Sequence, residues 1–152
     1  MTTDTMEQET IQTMEIRKEI EIAASVEITF EAVLDELGPE GQMPDGKPFP
    51  MKIEPWPGGR WYRDLGKNAG HLWGHVQVIK PPTLLEITGP MFMSYAVAGH
   101  LQFRLMQIPG GVELSMRHRI LGMVEEQHRR GVRAGWNAIL ERVKTASERS
   151  PL

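Results

Sequence analysis

Residues 98–121 read AGHLQFRLMQIPGGVELSMRHRIL. Two alternating runs flank a Pro-Gly-Gly turn. Leu101, Phe103 and Leu105 share one face of the first run. Leu114, Met116, His118 and Ile120 share one face of the second. Period-two alternation with apolar residues on one side marks half-buried strands. Gly110-Gly111 is a favoured two-residue hairpin loop. That loop sets Leu105 opposite Met116, Phe103 opposite His118, Leu101 opposite Ile120 and Arg104 opposite Arg117. One side of this hairpin is dry and needs a cover.

The cover follows directly in sequence. Val124, His128, Val132, Trp136, Ile139, Leu140 and Val143 form one stripe at helical spacing over 123–147. Upstream, short alternating runs at 51–54, 59–65, 70–79 and 84–89 are separated by WPGG, GKNAG and KPPT turns. In the hairpin around 80–83, Ile79 is expected opposite Leu84, Val78 opposite Leu85 and Val76 opposite Ile87. Residues 15–24 alternate as a first strand. Ser25 is placed to cap a helix carrying Val26, Phe30, Val33, Leu34 and Leu37, which ends at Gly38-Pro39. A Gly- and Pro-rich loop separates this helix from the later strands. The predicted fold is α+β: a curved antiparallel sheet of about seven strands wrapped around a long C-terminal helix, with a short helix after the first strand. Residues 1–13 read as a disordered tail, 14–147 as a single domain, and 148–152 as a C-terminal tail.

Composition narrows the function. A chain of 152 residues with 40% hydrophobic and 24% charged residues can bury a real core. It has no cysteine, which excludes disulfides, thiolate metal sites and cysteine nucleophiles. No apolar run is long enough for a membrane span. The polar, acidic start MTTDTMEQET does not read as a signal peptide, so the expected location is cytoplasmic. Net charge is −3, but residues 1–46 carry twelve acids against two bases, whereas 47–152 carry eight against fifteen. The basic residues are scattered through a patterned domain, so nucleic acid is not expected as a partner. His71 and His75 lie on one strand, roughly 13 Å apart, and cannot chelate one ion together. No metal or cofactor is expected. GxSxG, GxGxxG, phosphate-loop and HExxH motifs are absent.

Several local motifs, taken in order, resemble a known family. Pro57-Gly58-Gly59-Arg60-Trp61 enters a strand, and Gly74-His75-Val76 leads to Pro81-Pro82 and Leu85. Glu113-Leu114-Ser115-Met116-Arg117-His118 forms the last strand, with Gly135-Trp136 and Leu140 in the final helix. Together they resemble the START/SRPBCC superfamily of helix-grip proteins, which includes birch-pollen-allergen-like proteins and polyketide cyclases. The branch they resemble most is that of the C-terminal domain of the activator of heat-shock-protein-90 ATPase. The chain departs from that pattern at Gly89-Pro90, where the family tends to place a Trp. The resemblance implies the helix-grip fold and a cavity between sheet and helix.

Candidate ligand-binding residues are Trp61, Arg63, Phe92, Tyr95, Phe103, Met116, His118 and Trp136. An inward His118 offers either a ligand contact and general base or a buried structural imidazole. Arg63 is either an inward anchor for a carboxylate or phenolate, or an edge residue paired with Asp64 or Glu54. Tyr95 is placed to meet a ligand or His118. Trp73 points outward as an interface residue, unless a bulge turns it inward. Met91, Phe92 and Met93 suit an adaptable apolar wall. Three functions fit: a module binding an apolar or amphipathic small molecule, a polyketide cyclase- or aromatase-type enzyme, and a co-chaperone-like protein-interaction module. A homodimer is compatible with each.

Overall fold

The computed structural model describes residues 2–149. Strand β1 (Gln12–Ile22) is followed by helix α1 (Val26–Glu36). Strands β2 (Lys52–Ile53), β3 (Arg60–Gly66), β4 (Ala69–Lys80), β5 (Leu84–Thr88), β6 (Val97–Ile108) and β7 (Gly111–Gly122) come next, and helix α2 (Glu126–Glu148) closes the order. All strands join one antiparallel sheet in the order β1-β7-β6-β5-β4-β3-β2. Its inner face packs on both helices, as the alternation and the helical stripe require. Strand β1 begins at Gln12, inside the segment read as tail, and Glu148 is still helical. Residues 150–152 of the expected C-terminal tail lie outside the described residues.

The Ser25 side chain caps α1, accepting a hydrogen bond from the Ile28 N–H at 3.2 Å. Phe30, Val33 and Leu37 point into the core. On α2, Val132, Trp136, Ile139, Leu140 and Val143 are buried, as their spacing predicts.

The β6–β7 register differs from the sequence reading by two residues. Leu105 pairs with Leu114, Phe103 with Met116, Leu101 with His118 and Arg104 with Ser115. The turn is Pro109-Gly110, not Gly110-Gly111. Proline lacks the N–H that a ladder position needs and suits the first turn position, while Gly110 takes the left-handed φ of 83° at the second. A two-residue slip keeps every side chain on its face, so the inward set is unchanged. Arg117 instead lies beside Glu15 of β1, at 3.1 Å.

In β4–β5, Val76 does face Ile87, but Val78 faces Glu86 and Ile79 faces Leu85. Gln77 is an extra residue, so Ile79 rather than Val78 joins the inner face. A second irregularity falls between β3 and β4. Trp61 pairs with Gly74 and Tyr62 with Leu72, which leaves Trp73 as the bulged residue. The bulge turns Trp73 inward, where only 6% of it remains exposed.

One ion pair joins the helices from the side. Arg142 of α2 meets Glu36 of α1 at 3.0 Å and also donates to the Gln42 carbonyl at 3.0 Å. Burial raises the Glu36 pKa against the opposing pull of Arg142. Arg142→Ala should therefore destabilise the domain by roughly 2 kcal/mol, with a smaller loss at acid pH where Glu36 takes up a proton. Urea melts at two pH values would show it; equal losses at both would contradict the role given to Glu36.

Candidate functional site

Three strands, one loop and α2 itself deliver aromatic side chains to the space between the sheet and that helix. Trp61 (β3), Trp73 (β4), Phe92 (the β5–β6 loop), Phe103 (β6) and Trp136 (α2) form a continuous chain of rings. Trp61 lies 5.4 Å from Trp73 and 5.3 Å from Phe92, and Phe92 lies 5.7 Å from Trp136. Phe103 approaches Trp136 at 6.1 Å. Edge-on and tilted packing of this kind suits aromatic quadrupoles. The Trp61 indole N–H donates to the Leu37 carbonyl at 2.7 Å, which ties β3 to the end of α1. Trp61, Phe103, Met116, His118 and Trp136 are essentially inaccessible. These five predicted site residues are brought together, and they occupy the centre of the helix grip with their own side chains.

His118 sits in this packed centre. The Trp136 indole N–H donates to His118 Nδ1 at 2.9 Å. An accepting Nδ1 places the proton on Nε2 in the neutral ring. That Nε2 is buried and has no hydrogen-bond partner among the described residues. Burial, with a smaller contribution from His100, lowers the His118 pKa to about 4. At neutral pH the ring is uncharged, one nitrogen is engaged by Trp136, and the other carries the proton. Neither nitrogen is free to act as a base.

Open space lies at the mouth of the grip. An apolar pocket of about 290 Å³ runs between the 42–51 segment and α2. Gly131 and Gly135 form its helical floor; a Cβ on either would meet nothing within 4 Å. Met51, Val132 and Ile139 add apolar wall, and Phe92, 37% exposed, stands at the rim. A more polar cleft of about 710 Å³ adjoins it, between the β3–β4 hairpin and the β5–β6 loop. Phe49, Phe92 and Met93 line both, and so form a shared wall.

Arg63 belongs to the second cleft. Its guanidinium carbon lies 3.7 Å from the centre of the Phe49 ring. The carboxylates considered as partners are engaged elsewhere: Glu54 with Arg60 at 2.8 Å, and Asp64 with Lys52 at 3.4 Å. Nη1 of Arg63 is buried without an acceptor among the described residues. Tyr95 meets His128 rather than His118. Its hydroxyl lies 2.7 Å from His128 Nδ1, the rings stack 5.1 Å apart, and the Glu125 N–H donates to the phenol oxygen at 3.3 Å. This contact ties the β5–β6 loop to the start of α2.

The sequence reading missed Phe49, His128, Gly131 and Gly135, whereas Met93 lines both spaces as the apolar wall expected of it. The glycines were legible in principle: Gly131, Gly135, Ala138 and Arg142 share one helix face beside the buried stripe. Phe49 lies in an irregular segment that no periodicity marks. No group of three or more His, Asp or Glu side chains among the described residues could hold a metal ion. Among those residues, no helix is long and apolar enough to cross a membrane.

A family model described as "Activator of Hsp90 ATPase homolog 1-like protein" matches residues 46–148. No curated protein matches the chain in sequence. Solved structures share the fold. An uncharacterized protein from Rhizobium leguminosarum superposes with a TM-score of 0.69 at 15% identity, over 93% of this chain and 98% of that one. The Aha1 dimer from Colwellia psychrerythraea gives a TM-score of 0.66 at 17% identity, over 89% and 96%. The di-domain ARO/CYC StfQ from the steffimycin biosynthetic pathway gives 0.63 at 10% identity, over 90% of this chain and 51% of that one.

Proposed function

We propose that this chain, which belongs to the activator of Hsp90 ATPase homolog 1-like family, binds an apolar or amphipathic small molecule at the mouth of its helix grip. The observation that carries this reading is the apolar pocket over Gly131 and Gly135, where the helix surface is bare and space remains next to Met51 and Phe92. Ligand pockets are typically concave and largely apolar, with a few polar groups to one side. The residues proposed to contact ligand are Phe92, Arg63 and Tyr95, with Phe49 and Met93 added. Trp61, Phe103, Met116, His118 and Trp136 support that wall from behind.

Binding is favoured over proton-transfer catalysis because neither His118 nitrogen is available as a base. A protein-interaction role centred on Trp73 loses its main support, since that indole is buried.

The test is native mass spectrometry of the purified protein, followed by a thermal-shift screen of aromatic and lipid-like compounds. A ligand at a hundred times its Kd stabilises the folded state by about 2.7 kcal/mol. Gly135→Leu should abolish the shift by filling the pocket, while changing the ligand-free melting temperature little. No co-purified mass and no shift across the screen would overturn the reading.

A further inference from the structure

We infer that the site takes an amphipathic carboxylate, with its anionic head on Arg63 and its apolar body over the Phe49–Phe92–Met93 wall in the pocket above Gly131 and Gly135; this rests on the small-molecule reading above. Arginine stays charged at any physiological pH and carries five donors in a planar fork. Burying one of its nitrogens without an acceptor is unfavourable, and an incoming anion would remove that cost. Arg63 Nη1 is in that state among the described residues. The neighbouring carboxylates that could have neutralised it are committed to Arg60 and Lys52. None of the residues lining the cleft that Arg63 shares with Phe49 and Tyr95 is acidic; Asp64 lies in a separate cleft on its other side and is engaged by Lys52. Stacking on Phe49 holds one face of the guanidinium and leaves its edge as the donor.

The chemistry of the cleft selects the head group. Arg63 is its one fixed positive charge, and the other polar side chains there are His71, Ser94 and Tyr95. The planar fork matches carboxylate and phosphate alike, but one fixed positive charge balances a carboxylate monoanion and leaves a phosphate dianion half-neutralised. The shared wall sets the body: Phe49, under the guanidinium, also lines the apolar pocket. A ligand reaching from one compartment to the other must therefore be anionic at one end and apolar at the other.

Calorimetric titration of the full chain with matched pairs tests this: octanoate against octanol, and 2-naphthoate against 2-naphthol. At least one acid should bind tenfold or more tightly than its alcohol. Arg63→Gln should remove that preference, so that acid and alcohol bind within about twofold of each other. Acid and alcohol binding alike in the unmodified protein would overturn the inference, as would a preference that survives Arg63→Gln. In both cases the pocket itself would stand, provided Gly135→Leu still abolishes binding. Failure of both acids to bind would also overturn it, and the neutral compounds of the thermal-shift screen then decide the broader reading separately. The acid–alcohol comparison needs no variant, so it holds even if Arg63→Gln folds poorly.

Discussion

Replacing Trp136 with alanine should cost the domain about 4 kcal/mol of unfolding free energy. The indole is 1% exposed and contacts Phe92, Phe103 and His118. Its removal opens a cavity between sheet and helix. It also strips His118 Nδ1 of its donor, which leaves both imidazole nitrogens buried and unpartnered. Trp136→Phe separates the two effects. It keeps most of the ring contact and loses the hydrogen bond, so its cost should be roughly 1–2 kcal/mol. Urea unfolding would measure both through the midpoint at constant slope. A loss below about 1 kcal/mol for the alanine variant would mean that the aromatic chain does not hold the grip together.

Acid should weaken the fold through His118 at a pH where most carboxylates are still ionised. The ring has a pKa near 6.5 in the unfolded chain and about 4 in the folded one. Between those values the unfolded state binds a proton that the folded state refuses. Stability from this group is therefore complete above pH 6.5 and is lost progressively as pH falls towards 4. The total loss is about 3 kcal/mol. Burial of the ring sets most of this shift, and His100 adds a smaller opposing influence on the charged form. His118→Met removes the titration and keeps the side chain apolar. Its stability should be flatter than the parent's between pH 6.5 and 4, and parallel curves would exclude the assignment.

The sheet was legible because its alternation is redundant. Phe103, Met116 and His118 face inward in either register of the last hairpin, since an error of two residues preserves sides. The stripe on α2 was legible for the same reason, as Val132, Trp136, Ile139, Leu140 and Val143 repeat one message. Errors arose where one residue reverses the count. Gln77 and Trp73 are bulges, and nothing in their local composition distinguishes them from regular strand residues. Reading Trp73 as regular puts it outside; the bulge buries it against Trp61 and Phe92. For the candidate site, the sequence identified the aromatic residues but could not tell lining from filling. Whether Trp61 and Trp136 enclose a void depends on how their rings meet, and that is a property of tertiary packing alone. Tyr95 found His128 because the β5–β6 loop folds towards α2, a path that no local spacing encodes.

The order of the sheet carries a consequence for synthesis. Strand β1 pairs only with β7. During translation it is made before every other strand, yet its partner is the last to be made. Until then Ile16, Ile20 and Ile22 have no ladder to join. Non-local pairings of this kind form late and slow folding. The interleaved Glu15, Arg17, Lys18, Glu19 and Glu21 act as gatekeepers over that interval, since charge along a waiting strand discourages pairing with another nascent chain. Once the sheet closes, α2 takes over the guard: Lys144 donates to the Glu21 carbonyl and Arg129 to that of Thr13. Charge thus shields this edge twice: from within β1 while the strand waits for β7, and from α2 once the two have paired.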